Sequence, residues 1–461
     1  MKPADGIATR FSALAAWLVR DPRLRAVLSN SSLLTIGLGA VAASNIVTLT
    51  IIARTLGPET LSIIVLVVAH VGVMERLCAT EVWQTFVKFG ADARERDDDD
   101  ALARLAGFCF SFEIVAVLAT VALSLTLAKP VAAALGWPNE VAALVPAYAW
   151  HCLVNFINTP IGVLRSFGLF RTLAVIDIAS AVVKVVLVVA AVLADAPLVA
   201  YVVALAAATG LRGLLMLIAS LRALNRQNAA PRFAGLAQTT RTPRLMSFTF
   251  SCYATSVSTL PINFLDVVVV SKTLGASAVG GYRLMLQVTQ LFDRLINPIY
   301  QAIYPELAAM VARDGLKPAL RLGAKSIVGL TAVVAVLAAA LAFTTEIWIP
   351  LLFGAAFSFL IVPTKVLFAV KTLVAMNAIV DALCLASGRA WLRTAASATS
   401  NLAFVVALYV FSDRFGLIGA ASAFGVYVLC DVAIKSVGIW LAARRADEGT
   451  PSPKSATPHA D

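Results

Sequence analysis

The sequence predicts an all-α integral membrane protein: twelve transmembrane helices in two pseudosymmetric six-helix lobes, both termini cytoplasmic. Three observations predict it. The 461 residues are 60% hydrophobic and only 14% charged, with mean hydropathy +0.87, where a soluble domain carries about a quarter charged residues. Apolar runs of about 20 residues recur from end to end, each long enough to cross a hydrocarbon core about 30 Å thick. Lys and Arg crowd alternate loops, the signature of a fixed membrane orientation.

The elements follow in order. Residues 1–32 form a cytoplasmic or interfacial segment. It holds Lys2, Arg10, Arg20, Arg23 and Arg25 and lacks the uninterrupted apolar run of a secretory signal. "FSALAAWLV" between arginines has the pattern of an interfacial amphipathic helix; a frayed polar leader is the alternative. Spans at 33–53, 61–79, 102–127, 141–160, 174–194 and 198–221 make an N-lobe, 33–221. A basic stretch, 222–246, is the cytoplasmic linker. Spans at 247–271, 279–303, 324–345, 359–386, 391–411 and 417–442 make a C-lobe, 247–442. The eighth span is unusually polar. Residues 443–461 are polar, with Pro451 and Pro453, and read as a disordered cytoplasmic tail.

The segments assigned to the cytoplasm carry 24 Lys and Arg, and the outer loops only Arg54, Lys129, Lys272 and Arg414. That bias sets the orientation and absorbs most of the net charge of +11. No compact basic domain exists, so nucleic acid is not an expected partner. "RERDDDD", Arg94 to Asp100, reads as a solvated loop. The longest outer loop, Ala128 to Glu140, is too short to house an extracytoplasmic enzyme or receptor domain. Cys78, Cys109, Cys152, Cys252, Cys384 and Cys430 fall in or beside spans with no CxxC pair. They read as apolar packing residues, with no metal or cofactor implied.

A repeat organises the chain. "ARTLGPE" after the first span recurs as "SKTLGAS" after the seventh, at an offset of 218 residues. At that offset Asn45 falls on Asn263, Thr48 on Asp266, Arg54 on Lys272 and Gly57 on Gly275. "GLFRTLA" before span 5 is echoed by "GRAWLRTAA" before span 11, and "SLRALNR" closes one half as "LAARR" closes the other. Six spans separate the copies, an even number, so the halves are parallel repeats. Each motif is a helix leaving the membrane, a basic residue at the headgroups and a glycine for the turn. Two such bundles face to face have the architecture of a secondary transporter.

Those motifs, with "LGASAVGGY" and "NPIYQAIYPELAAM" at Asn297 to Met310, resemble the polysaccharide-transporter branch of the multidrug/oligosaccharidyl-lipid/polysaccharide exporter superfamily. That branch includes the O-antigen and exopolysaccharide flippases. The resemblance covers about residues 30–445. It implies alternating access in the cytoplasmic membrane and no covalent chemistry. The implied substrate is a polyprenyl-diphosphate-linked oligosaccharide, and membrane lipids, a glycan polymerase and export machinery are candidate partners.

Charges inside spans are costly, so they face an interior or water. Lys184, Arg212, Arg283, Lys365 and Lys371 have no acid three or four residues away and are candidates for a phosphate site; pairing with an acid on another helix is the alternative. Lys435 lies four residues from Asp431 and reads as an intrahelical pair. In span 8, Arg283, Gln287, Gln290, Arg294, Asn297 and Gln301 repeat at 4, 3, 4, 3 and 4 residues, one stripe on a helix. It runs about 27 Å, close to the full hydrocarbon thickness. Gln and Asn suit sugar hydroxyls, and Arg suits phosphate oxygens; a polar packing seam is the alternative. Span 7 adds Thr255, Thr259 and Asp266, with a kink expected at Pro261. Asn45 and Asn263, equivalent by the repeat, are expected to face the same cavity. Asp266 and Asp293 are candidate coupling-ion residues.

Two other functions compete. A cation-coupled drug exporter of the same superfamily relies on a carboxylate in the first span, and residues 33–53 contain none. A membrane-embedded glycan-assembly enzyme needs catalytic groups, and none of His70, His151 and His459 has an evident partner in sequence.

Overall fold

In lipid every backbone N–H and C=O must be satisfied within the chain, which leaves helices or a closed barrel. This chain takes helices: no strand occurs among the described residues. The computed structural model describes residues 22–233, 243–258, 265–290, 315–387 and 389–448, with Ile303, Leu307, Met310, Val311 and Arg313.

The helices are α1 (Pro22–Cys78), α2 (Val82–Glu95), α3 (Asp99–Leu135), α4 (Asn139–Ala149), α5 (Asn158–Ser166), α6 (Phe170–Leu193) and α7 (Leu198–Arg226). Then come α8 (Pro243–Ser258), α9 (Asp266–Leu274), α10 (278–290), α11 (Leu316–Phe343), α12 (Thr345–Phe353), α13 (Ile361–Ala386) and α14 (Ala390–Glu448). Eight stretches of the described residues are long and apolar enough to cross a membrane. Two of them, Thr35–Glu95 and Trp391–Leu441, far exceed one crossing. Each is broken at a glycine, Gly57 (φ 77°) in α1 and Gly416 (φ 61°) in α14, where the sequence places a turn between spans. Large apolar side chains face outward, Phe343 at 84% and Leu193 at 81% exposure, as a lipid-facing surface requires.

The structure corrects three sequence-based boundaries. The stretch 80–101, expected as a loop, contains α2. Its Val82, Phe86 and Ala93 are buried while Arg94 and Glu95 are exposed, a short amphipathic period that a 20-residue hydropathy window averages away. The third span continues to Leu135, because "KPVAAAL" is rich in helix formers. The fourth span is discontinuous: α4 gives way to a 3-10 turn, Trp150–Leu153, and irregular backbone before α5. Pro160 explains this. It supplies no N–H to the Phe156 carbonyl and its ring clashes there, so an α-helix cannot run through.

The chain divides into two units. The first comprises Met1–Ile52, His70–Val131 and Asn139–Val257. Its core gathers Phe86, Leu102, Phe108, Val163, Leu164, Met216 and Leu224. The start of the linker is strapped across α3: Arg232 N donates to the Ala103 carbonyl at 3.0 Å. A Cβ on Gly107 would lie 1.9 Å from the Arg232 carbonyl oxygen, so only glycine permits that crossing.

The second unit comprises Ala53–Ala69, Ala132–Pro138 and Ser258–Asp461, with a core of Leu330, Val334, Phe368, Ile379, Leu383 and Ile439. It contains both copies of the repeated turn. Gly57 (φ 77°, ψ 178°) and Gly275 (φ 86°, ψ 162°) adopt the same positive-φ conformation, so the sequence repeat is also a backbone repeat. The copies touch. Ser62 Oγ accepts from the Gly280 N–H at 2.9 Å and lies 2.8 Å from the Ser277 carbonyl. Ser62 and Gly280 are themselves 218 residues apart, so equivalent positions of the two repeats meet each other.

Candidate functional site

Several of the sequence-predicted polar positions sit on α1, α6 and α7 of the first unit. A Cβ on Gly37 would come 3.0 Å from the Ala174 Cα and 3.3 Å from the Asp177 Cβ, so glycine brings α1 close to α6. Asp177, buried there, accepts from Arg212 Nε of α7 at 2.7 Å. Seven residues along α6, two turns further on the same face, Lys184 Nζ donates to Asn45 Oδ1 of α1 at 2.7 Å. Two polar pairs, Arg212 with Asp177 and Lys184 with Asn45, therefore lie on one face of α6, and the Arg212 charge acts on Lys184.

Sequence reasoning missed a fourth member. Arg165, near the end of α5, stacks on Trp83 with its guanidinium 4.7 Å from the ring centroid. Its charge acts on Asp177, and that of Arg212 acts on Lys184. The Arg165 Nε is buried with no hydrogen-bond partner. Arg212 and Arg165 thus share one carboxylate with Lys184 close to Arg212, and a buried guanidinium N–H lacks an acceptor. A buried unsatisfied donor costs about 1–3 kcal/mol, which an anionic oxygen would recover. Arg165 lay in a segment read as a cytoplasmic loop, where cations are routine, so no local signal marked it.

The break in the fourth span is held by another group. The Glu113 carboxylate of α3, 3% exposed, accepts the backbone N–H groups of Ile157 (2.8 Å), Asn158 (2.7 Å) and Thr159 (2.8 Å). A buried anion at a half-helix N-terminus satisfies donors that have no intrahelical partner. Beside the break, His151 Nε2 lies 3.4 Å from Glu75 Oε1. His151 has no evident partner nearby in sequence; Glu75 is 76 positions away, and only folding joins them.

In the second unit, Asp266 is buried. It accepts from the Tyr282 hydroxyl at 3.1 Å and from the Val267 N–H at 2.8 Å, and Arg283 is the cation whose charge acts on it. Along the described part of the span-8 stripe, Arg283 is half-buried, Gln287 buried and Gln290 exposed. Arg294, Asn297, Gln301 and Asp293, with Asn263, Thr259 and Pro261 of span 7, lie outside the described residues, as does the Thr255 side chain.

Two cations expected to lack acids have them on neighbouring helices: Arg212 pairs with Asp177, as above, and Lys365 with Glu346 at 2.7 Å. The Lys365 ammonium holds the exposed Glu346 carboxyl below the ordinary carboxylate range. Lys371 is half-buried on α13. Lys435 forms the expected pair with Asp431 and also reaches Asp381 at 2.8 Å. Arg393 contacts Asp381 at 2.8 Å and Asn377 donates to Asp431 at 2.9 Å. This network is charge-balanced, two carboxylates with two cations, so it suits a structural tie among α13 and the two arms of α14. A groove of about 510 Å³ along α14, lined by Leu402, Val406, Val410 and Phe411, is apolar and suits hydrocarbon.

A family model described as "Polysaccharide biosynthesis protein" matches residues 27–311. No curated protein matches in sequence. Three solved structures share the fold. One is an inward-facing multidrug resistance MATE family transporter of the MOP superfamily, with TM-score 0.71 and 14% identity over 90% of this chain and 98% of that one. The lipid II flippase MurJ in an inward closed conformation gives TM-score 0.67 and 12% identity over 88% and 87%. A MOP superfamily transporter from Pyrococcus furiosus gives TM-score 0.61 and 17% identity over 93% and 97%; its binding pocket is described as having reversed polarity. At such identities the likeness establishes the fold alone, that of a multi-pass helical membrane protein.

Proposed function

The chain belongs to the polysaccharide biosynthesis protein family, and from that membership we propose that it is a flippase for polyprenyl-diphosphate-linked oligosaccharide repeat units. It has twelve spans with both termini cytoplasmic, and works by alternating access in the cytoplasmic membrane. The product serves exopolysaccharide, capsule or O-antigen synthesis. The diphosphate rests against Lys184, Arg212 and Arg165. The sugars meet Asn45. The polyprenyl chain stays in lipid, and the protein makes and breaks no covalent bond.

The carrying observation is the cation excess around Asp177, with the Arg165 Nε–H left without an acceptor. Burial of cations is costly, and a phosphate site gives that cost a function. An exporter of cationic drugs would need the opposite sign. The test is complementation of a flippase-deficient strain. Arg165→Ala or Arg212→Ala should cut surface glycan at least about tenfold at unchanged membrane abundance, the loss expected for one charge-assisted bond. Lipid-linked repeat units should then accumulate on the inner leaflet. Normal export by both variants, or a change in drug sensitivity with normal glycan, overturns the assignment.

A further inference from the structure

We propose that Glu75, His151 and Cys152 bind one divalent transition-metal ion, with zinc the ion this donor set suits. Glu75 belongs to α1, and His151 and Cys152 to the 3-10 turn at the break of the fourth span. Their donor atoms converge: His151 Nε2 lies 3.4 Å from Glu75 Oε1, Cys152 Sγ 3.5 Å from the same oxygen, and Sγ 3.9 Å from Nε2. Ligands of a tetrahedral zinc, at about 2.0–2.3 Å from the metal, stand roughly 3.3–3.6 Å from one another. The trio is within a few tenths of an ångström of that arrangement.

The histidine is oriented for the task. Its Nδ1 lies 2.6 Å from the Tyr148 carbonyl oxygen, which only accepts, so Nδ1 carries the hydrogen. Its Nε2 then points at a carboxylate and a sulfur. Once the Cys152 thiol gives up its proton, three Lewis bases converge on one point and can share a cation, and a backbone carbonyl behind a ligating histidine is the usual outer partner of such a site. Asn155 extends the set. Its Nδ2 is 3.4 Å from Glu75 Oε1, and its Oδ1 is buried with no hydrogen-bond partner. Turning the amide over presents that oxygen as a fourth ligand. His151 and Cys152 are buried, 1% and 2% exposed, while the Glu75 side chain is 37% exposed and leaves an approach for the ion. Nitrogen with sulfur and a single carboxylate excludes a magnesium- or calcium-type site and favours zinc. The bound ion would pin the end of the second span to the interrupted fourth one.

The experiment uses full-length protein in detergent, stripped with a chelator and titrated with cobalt(II), then zinc. The expected result is saturation at one cobalt per chain, with a thiolate-to-cobalt charge-transfer band, displaced by zinc. Cys152→Ser should abolish that band. Glu75→Gln should weaken binding by more than the roughly tenfold typical of an outer-shell partner. Cys252→Ser, whose Sγ lies 3.3 Å from Gln84 Oε1, should leave both unchanged. Non-saturating uptake by the unmodified protein would mean an adventitious ion only. No uptake would mean a protonated His151 paired with Glu75. Either result, or a band that survives Cys152→Ser, overturns the proposal. The readout is spectroscopic and independent of transport, so it stands or falls apart from the flippase assignment.

Discussion

At the scale of single residues, the chain spends its buried charge on two different tasks. Glu113 works on the backbone. It accepts three N–H groups that Pro160 and the broken helix leave without carbonyl partners. Glu113→Ala should therefore lower stability by about 3 kcal/mol or more, read as a large fall in the thermal midpoint of the detergent-purified protein. Glu113→Gln keeps an acceptor oxygen and should lose less. Arg165 and Arg212 belong to the proposed phosphate site. Here the informative measurement is a double-mutant cycle with Asp177: Arg212→Ala alone strands a buried carboxylate, and Asp177→Asn should restore part of the lost stability but not export. The sequence marked Arg212 and Lys184 because each lacks a local acid. It could not mark Arg165, whose significance comes from Trp83 and Asp177 on other elements.

At the scale of elements, glycine and proline decide where helices stop and how closely they approach. Gly57 and Gly275 take positive φ, and their turns are brought together through Ser62 and Gly280. A Cβ on Gly280 would lie 2.8 Å from Ser62 Oγ and 3.0 Å from Ser62 N. Gly280→Val should force these turns apart and reduce export. Gly329→Ala on α11, where a Cβ meets nothing within 4 Å, should be neutral or slightly stabilising. The tie between α13 and α14 has a similar all-or-nothing character. Lys435, 2% exposed, is shared by Asp381 and Asp431. Lys435→Met leaves the buried Asp431 without a cation and Asp381 with Arg393 alone, and should cost about 3–5 kcal/mol. Adding Asp381→Asn and Asp431→Asn to it should recover much of that loss in the same thermal assay.

At the scale of the whole molecule, the prediction concerns what each exposed surface touches. Gln290 on α10 and Val336 on α11 are both exposed. If the span-8 stripe lines a water-filled path, cysteine at Gln290 in a cysteine-free background labels with a water-soluble thiol reagent. Cysteine at Val336, among lipid-facing side chains, does not. Equal labelling at both positions, or none at Gln290, removes the path.

Composition and the spacing of apolar runs determined the class, an all-helical membrane protein, because burial in lipid constrains every residue of a span and leaves a signal 20 residues long. The glycine turns were legible for a related reason: positive φ is a local property with a local residue preference. What the tertiary structure alone decided was partnership. Asp177 with Arg212, Glu113 with the break before α5, Asp381 with Lys435, and Glu75 with His151 and Cys152 each join residues 35 to 77 positions apart. A buried charge announces that a partner exists, since the desolvation cost demands one. Which partner answers depends on helix packing, and no period or propensity along the chain records it.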